Sequence, residues 1–301
     1  MIITQRWHLI AESTAGILLA ASAFGHAQTV NMPASKSGYA PVNGLKMYYE
    51  FHGTGQPLIL IHGGLGATEM FDEIMPSLAK NRQVIAVDLQ GQGRTADIDR
   101  AMSFDALADD IAGVASYLGI EKADVMGYSF GGTVALRAAI RHPALIRKLL
   151  IVSAPCRRDG WFPEILSAMA QMGPATADPM KQTPMYQLYA RIAPRPEDWP
   201  VLLSKLGDLS RKEYDWSKDV AAIEAPTLLV FGDADAVRTA DAVQFFESLG
   251  GGQRDGGWDR TGVSNARLAI LPGTTHYSIL SSPMLLANVT AFLDSVEARS
   301  K

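Results

Sequence analysis

A single cysteine, Cys156, is the only thiol among 301 residues. One thiol cannot close an internal disulfide and cannot supply a thiolate-rich metal centre. Long apolar runs are also missing. Nothing approaches the ~20 consecutive residues that a membrane-spanning helix needs, so no membrane partner is expected. Positive charge is not in excess either. Lys and Arg total 27 against 31 Asp and Glu, the formal net charge is -4, and no basic cluster stands out. That balance argues against a nucleic-acid footprint. What remains is ordinary globular material, with 48% hydrophobic and 19% charged residues. It is enough chain for one large domain, or one domain carrying an insertion.

Residues 1–30 differ from the rest. Arg6 and His8 precede the apolar stretch 15–24, and Gly25-His26-Ala27 is a small-x-small sequence ahead of Gln28. This is the order of a secretory signal peptide cleaved after Ala27. Glu12 lies before the apolar stretch, where export signals avoid acids, and Met32 offers a second start. A non-native N-terminal extension is therefore the competing reading. A genuine leader implies a periplasmic or secreted protein; without it the protein is expected in the cytoplasm.

Beyond the leader, short apolar runs alternate with helical patterns. Residues 45–51 alternate in polarity and read as an edge strand. Runs at 58–61, 84–87, 123–126, 148–153, 226–231 and 267–271 are continuous, as in strands buried on both faces. Helical composition or spacing is found at 70–80, 104–118, 133–141, 240–249 and 283–296. The alternation predicts an α/β fold, a mostly parallel central sheet flanked by helices and joined by right-handed crossovers. The core is expected over 38–154 and 221–301. Residues 155–220 break the rhythm with seven prolines from Pro163 to Pro200, which fit short helices better than one long element. This stretch follows a strand, so it is expected to sit as a helical lid over the carboxyl edge of the sheet. Its Trp161, Phe162, Met169, Met185 and Tyr186 either pack a small core of the lid's own or line a site for a bulky apolar ligand. The glycine-rich stretch 250–258 lacks G-x-G-x-x-G order and a following helix, so it reads as a loop, not a phosphate cradle.

The chemistry centres on Gly127-Tyr128-Ser129-Phe130-Gly131, between the apolar run 123–126 and the helical stretch 133–141. Strand, sharp turn and helix with a serine at the apex is the context in which G-x-S-x-G carries meaning. The glycines remove Cβ atoms that would collide in so tight a bend, and the following helix points N–H groups at the same spot. A serine hydroxyl needs a base, and the base needs an orienting group. Of six histidines, His8 and His26 lie in the leader, His52 in an early turn, His62 at a glycine loop and His142 at a helix end. His276 alone follows a late strand at the functional edge of the sheet. Between serine and histidine, Asp233 and Asp235 both directly follow a buried strand, and both are candidates for the acid.

His62-Gly63-Gly64, the serine turn, Gly232-Asp233-Ala234-Asp235 and Pro272-Gly-Thr-Thr-His276 stand in this order on the expected elements. In this the chain resembles the α/β-hydrolase fold superfamily, and within it the lidded serine esterases, over nearly its whole length from about residue 40. The resemblance implies Ser129 as nucleophile, His276 as general base and then acid, and Asp235 as its partner, because related hydrolases place the acid three residues past such a glycine. Asp233 would then only cap the turn. It also implies an oxyanion hole from the N–H groups of Gly64 and Phe130. His62 reads as a structural support for its loop, Tyr128 as a residue lining the pocket, and Cys156 as a small buried apolar side chain.

Relatives that dehalogenate alkyl halides or open epoxides carry a carboxylate at the apex, so within this resemblance a serine there favours esters, lactones, thioesters, amides or activated C–C bonds. The first reading is a carboxylic-ester hydrolase for a small-molecule ester or lactone, with no metal or organic cofactor. The Met and aromatic content of 155–220 points to a fairly bulky apolar substrate, and small lidded esterases of this kind include macrolide-ring esterases. Two further readings keep the triad and change the bond, C–C hydrolysis of a dienoic ring-fission product or cofactor-free perhydrolysis. For the former, Arg137, Arg141 and Arg191 are candidate carboxylate binders. A non-catalytic ligand receptor on the same scaffold is the reading from another class.

Overall fold

The computed structural model describes residues 36–295. The leader reading therefore lies outside the described residues. The strands are β1 (Lys36–Val42), β2 (Leu45–His52), β3 (Gln56–Ile61), β4 (Arg82–Val87), β5 (Ala123–Tyr128), β6 (Ile146–Val152), β7 (Thr227–Ala234) and β8 (Ala266–Thr275). They form one sheet of order β1-β2-β4-β3-β5-β6-β7-β8. β2 runs antiparallel to β1 and β4, and the pairs from β4 through β8 are parallel. The helices that matter here are α1 (Phe104–Tyr117), α2 (Phe130–Arg141), α3 (Pro163–Ala170), α4 (Pro184–Ile192), α5 (Trp199–Ser210), α6 (Thr239–Ser248) and α7 (Pro283–Asp294).

Side chains alternate across the sheet with the period of two that a strand imposes. Ile59, Ile61, Ile85, Val87 and Val125 pack on one face with Leu107 and Ile111 of α1 and Val134 and Leu136 of α2. Leu58, Leu60, Val84, Ala86 and Met126 pack on the other with Leu285, Val289 and Phe292 of α7. Both faces are covered, which is why the parallel strands read as unbroken apolar runs.

Two elements differ from expectation. The strand containing 45–51 is not at the edge: β1 lies outside it, paired from Lys36↔Phe51 to Val42↔Leu45. β1 is half exposed and carries Gly38 and Pro41, so its composition hides it. The Asn43-Gly44 turn was the available signal. Both residues take positive φ, 48° and 84°, as a tight two-residue hairpin requires. Residues 70–80 are not one helix but a 3₁₀ turn, Thr68–Phe71, followed by a short helix, Met75–Leu78. Pro76 sits at the start of the second piece, where its missing N–H does no harm.

Residues 155–220 form helices α3, α4 and α5 with shorter turns between β6 and β7. The segment has its own core, in which Trp199 is buried against Tyr186 and Tyr189 and its Nε1–H donates to Ala177 O at 3.2 Å. It is tied to the loop after β4 by Lys205, whose Nζ donates to Asp97 Oδ2 at 2.5 Å and to Ile98 O at 2.6 Å. Among the described residues no helix is long and apolar enough to cross a membrane.

The bend between β5 and α2 is packed to contact. A Cβ at Gly127 would lie 2.1 Å from Gly131 O, and one at Gly131 would lie 2.2 Å from Ile61 O. The neighbouring loop after β3 is held by His62, which is fully buried. Its Nδ1–H donates to Gly63 O at 2.7 Å, and its Nε2 accepts Leu89 N–H at 3.1 Å. Both ring nitrogens are used in the neutral form, and burial pushes the pKa down to about 4.

Two outcomes are expected. Gly131→Ala should lose about 2–4 kcal/mol of stability in urea unfolding, because the clash is with backbone that cannot turn aside. His62 resists protonation in the folded state from its ordinary 6.5 down to about 4. The unfolded state binds that proton first, so the stability His62 contributes is whole above pH 6.5 and is lost as the pH falls toward 4. The urea midpoint of the wild type should therefore drop across this window, and His62→Gln should be less stable at neutral pH and show a shallower drop.

Candidate active site

The register of the sheet assembles the site. Tyr128 pairs with Val152, and Val152 with Val230, so the carboxyl ends of β5, β6 and β7 are level. β8 continues beyond the expected 267–271, because it pairs past a register shift until Ala234 lies opposite Thr275. That last pair leaves Asp235 and His276 as the next residues on adjacent strands. A Cβ at Gly232 would lie 2.0 Å from Thr274 O, so only glycine permits this approach.

Ser129 stands at the apex with φ 54° and ψ −120°, a strained conformation for a residue with a side chain. Its Oγ lies 3.0 Å from His276 Nε2, and His276 Nδ1 lies 2.8 Å from Asp235 Oδ1. With the proton on Nδ1, the imidazole donates to the carboxylate and accepts from the serine. Asp235 is buried, and burial alone would raise its pKa. The donors from His276, Ser153 and Gly232 outweigh that and hold it below the ordinary value, so the carboxylate is ionised. Asp233 is elsewhere. Its carboxylate is at the surface, where Oδ1 accepts Thr274 N–H at 3.1 Å, and it steadies the β7–β8 turn.

Gly64 and Phe130 lie side by side. A Cβ at Gly64 would sit 3.5 Å from Phe130 Cβ. The N–H of Leu65 is taken by Gln92 Oε1 at 2.7 Å. No hydrogen bond among the described residues occupies the N–H of Gly64 or Phe130. Tyr128 is buried and its hydroxyl donates to His276 O at 2.8 Å, with the two rings 5.3 Å apart. It both borders the cavity and ties down the histidine loop. Cys156 is buried in the core, and burial raises its pKa, so it is a small apolar residue as expected.

A cavity of about 570 Å³ opens on Ser129 and His276. Trp161, Met169 and Met185 line it, together with Ile165, Leu166, Met172, Leu206 and Leu209 of the helical insertion. Phe162 and Tyr186 do not. Phe162 caps α3 and is 37% exposed, and Tyr186 faces inward on α4 against Trp199. Helical spacing cannot tell the cavity face of α4 from its core face before α5 is in place. Phe104 and Tyr214 complete an aromatic wall with Phe130 and were missed, because they come from distant segments.

None of Arg137, Arg141 and Arg191 lines the cavity. Arg137 pairs with Asp105 and Arg141 with Asp109 on the outer side of α1 and α2. Arg158 lines it instead, but its Nε–H donates to Ser210 O at 2.9 Å and its Nη1 meets Glu213 at 3.0 Å. The other charged residues in the wall are Glu69, Asp72 and Glu73, of which Glu69 is paired with Arg94 at 2.5 Å. Burial, with Glu69 and Glu50 nearby, pushes Asp72 up to about 6.

The model of the α/β hydrolase fold family matches residues 56–184. The pimeloyl-[acyl-carrier protein] methyl ester esterase of Neisseria meningitidis serogroup B is 33% identical over 197 residues, 59% of this chain and 74% of that protein. The 2-hydroxymuconate semialdehyde hydrolase of a Pseudomonas strain is 40% identical over 115 residues, which are 37% of this chain and 41% of that one, less than half its length. Among solved structures, a carboxylesterase of Bacillus subtilis superposes with a TM-score of 0.67 at 18% identity, covering 88% of this chain and 93% of that one. With the parallel sheet, the glycine-locked bend and these relatives together, the chain belongs to the α/β-hydrolase superfamily.

Proposed function

We propose that this hydrolase cleaves a carboxylic ester or lactone of a fairly bulky, apolar, uncharged small molecule through an acyl-enzyme on Ser129. The observation that carries the reading is the Ser129–His276–Asp235 chain, at 3.0 and 2.8 Å, opening on a largely apolar cavity of about 570 Å³. His276 Nε2 takes the Ser129 proton as Oγ attacks the substrate carbonyl carbon. The carbonyl oxygen becomes an oxyanion and receives the N–H groups of Gly64 and Phe130, each such donor being worth about 3 kcal/mol. Asp235 stabilises the imidazolium and stays ionised. The imidazolium then protonates the departing alkoxide, and a water repeats the sequence to release the acid. The helical insertion acts as the lid, and its Met169, Met172 and Met185 form an adaptable apolar wall. That wall suits large acyl or alcohol groups, macrolide-type lactones included.

C–C bond hydrolysis is the second reading, and the similarity to a 2-hydroxymuconate semialdehyde hydrolase over residues shared with this chain favours it. The charge of the cavity argues the other way. A dienoate would bring a carboxylate toward Asp72 and Glu73, while Arg94 is already paired with Glu69 and the guanidinium of Arg158 already has partners. Desolvating an anion without a cationic partner is costly.

Ser129→Ala should lower kcat on p-nitrophenyl esters by roughly four orders of magnitude or more while leaving the fold intact. Asp235→Asn should cost roughly 10³–10⁴-fold in kcat, and Asp233→Asn should leave kcat near that of the wild type. A sulfonyl fluoride should label Ser129, read by peptide mass spectrometry; a labelled Ser129→Ala variant would overturn the nucleophile. In side-by-side assays, long-chain neutral esters and macrolide lactones should be turned over in preference to a dienoic ring-fission product. A preference for the dienoate would establish the second reading.

A further inference from the structure

Ser153 takes no part in the steps above, yet its side chain reaches the acid. It is the residue after β6, and none of it is exposed. Its N–H donates to Val230 O at 2.9 Å, which continues the β6–β7 pairing one residue beyond the strand. Its φ is 54°, the same left-handed value as Ser129. A glycine would adopt that φ without strain, whereas a serine there is held against its preference. What the serine supplies in return is its hydroxyl, which donates to Asp235 Oδ2 at 2.6 Å.

The rest of the carboxylate is accounted for. Oδ2 also accepts Gly232 N–H at 3.0 Å, and Oδ1 accepts Val237 N–H at 3.2 Å and His276 Nδ1–H at 2.8 Å. Gly232 and Val237 belong to the same turn as Asp235 and move with it. Ser153 is anchored on β6, two strands from β8, so its bond ties the carboxylate to the rigid centre of the sheet. With Oδ2 held from that side, Oδ1 stays directed at His276. Without it, the carboxylate keeps the donors of its own turn and His276, and nothing from β6 restrains its rotation about χ2.

We infer that Ser153 is a positioning residue, a buried hydroxyl that fixes the Asp235 carboxylate and through it the orientation of His276. This rests on the proposed ester-hydrolase reading, and the test separates the two. Ser153→Gly removes the hydroxyl and relieves the backbone strain, so its Tm should match or exceed that of the wild type. Its kcat on a p-nitrophenyl ester should fall by about tenfold, the loss expected when a hydrogen bond to a charged group is removed, with KM little changed. The Asp235–His276 bond is followed independently of turnover by the low-field proton NMR resonance of His276 Nδ1–H, assigned by its absence in His276→Ala. That resonance should shift or broaden in Ser153→Gly. An unchanged kcat with an unchanged resonance overturns the role of Ser153. If the wild type proves inactive on esters, the ester reading fails, and the resonance alone decides: a shift on Ser153→Gly supports the positioning role, and an unmoved one overturns it.

Discussion

The left-handed backbone at Ser129 is the constraint on which the rest of the site depends. A non-glycine residue held there costs about 1–3 kcal/mol. It persists because the bend is closely packed: a Cβ at Gly127 would meet the backbone of Gly131 and Gly132, and one at Gly131 the backbone of Ile61 and His62. The offset comes from the helix that the bend launches. Val134 and Leu136 of α2 are fully buried, and each is worth about 1.5–3 kcal/mol. Packing on that scale exceeds the strain, so the sheet and helix hold the serine where relaxed backbone would not.

Charge is managed at the site by donors, not by cations. Asp235 is buried with no lysine or arginine on its oxygens among the described contacts; four N–H and O–H groups face it instead. Each hydrogen bond to a charged group contributes about 1.5–3 kcal/mol, enough together to overcome the desolvation that would otherwise protonate it. The same economy governs His62, which stays neutral because both its nitrogens are committed to backbone. One histidine is thereby committed to backbone and the other is set between a carboxylate and a serine hydroxyl, and the difference lies in their partners.

The helical insertion separates two kinds of apolar residue that look alike in the chain. Trp199 and Tyr189 hold the insertion together, and Met169, Met172 and Met185 face the cavity. Lys205 on Asp97 and the Phe162 N–H on Ala236 O fasten the insertion to the loops after β4 and β7. Beside the second of these, Trp161 lies 5.6 Å from the His276 ring, so the insertion and the His276 loop share a wall.

Much of this was legible beforehand. Continuous apolar runs betray strands covered on both faces, and glycines at 127 and 131 around Ser129 announce a bend that no other residue tolerates. Those are local constraints, written into consecutive residues, and from them the fold class, the serine and the histidine follow. β1 was hidden because an exposed edge strand needs no apolar run. Asp235 could be separated from Asp233 only by resemblance, since the choice depends on how far β7 and β8 stay paired. The cavity wall, Ser153 on the acid, and the packing of Tyr186 on Trp199 were beyond reach for one reason. Each depends on side chains brought together from segments far apart in the chain, and only tertiary packing decides which face of a helix meets a ligand and which meets its neighbour.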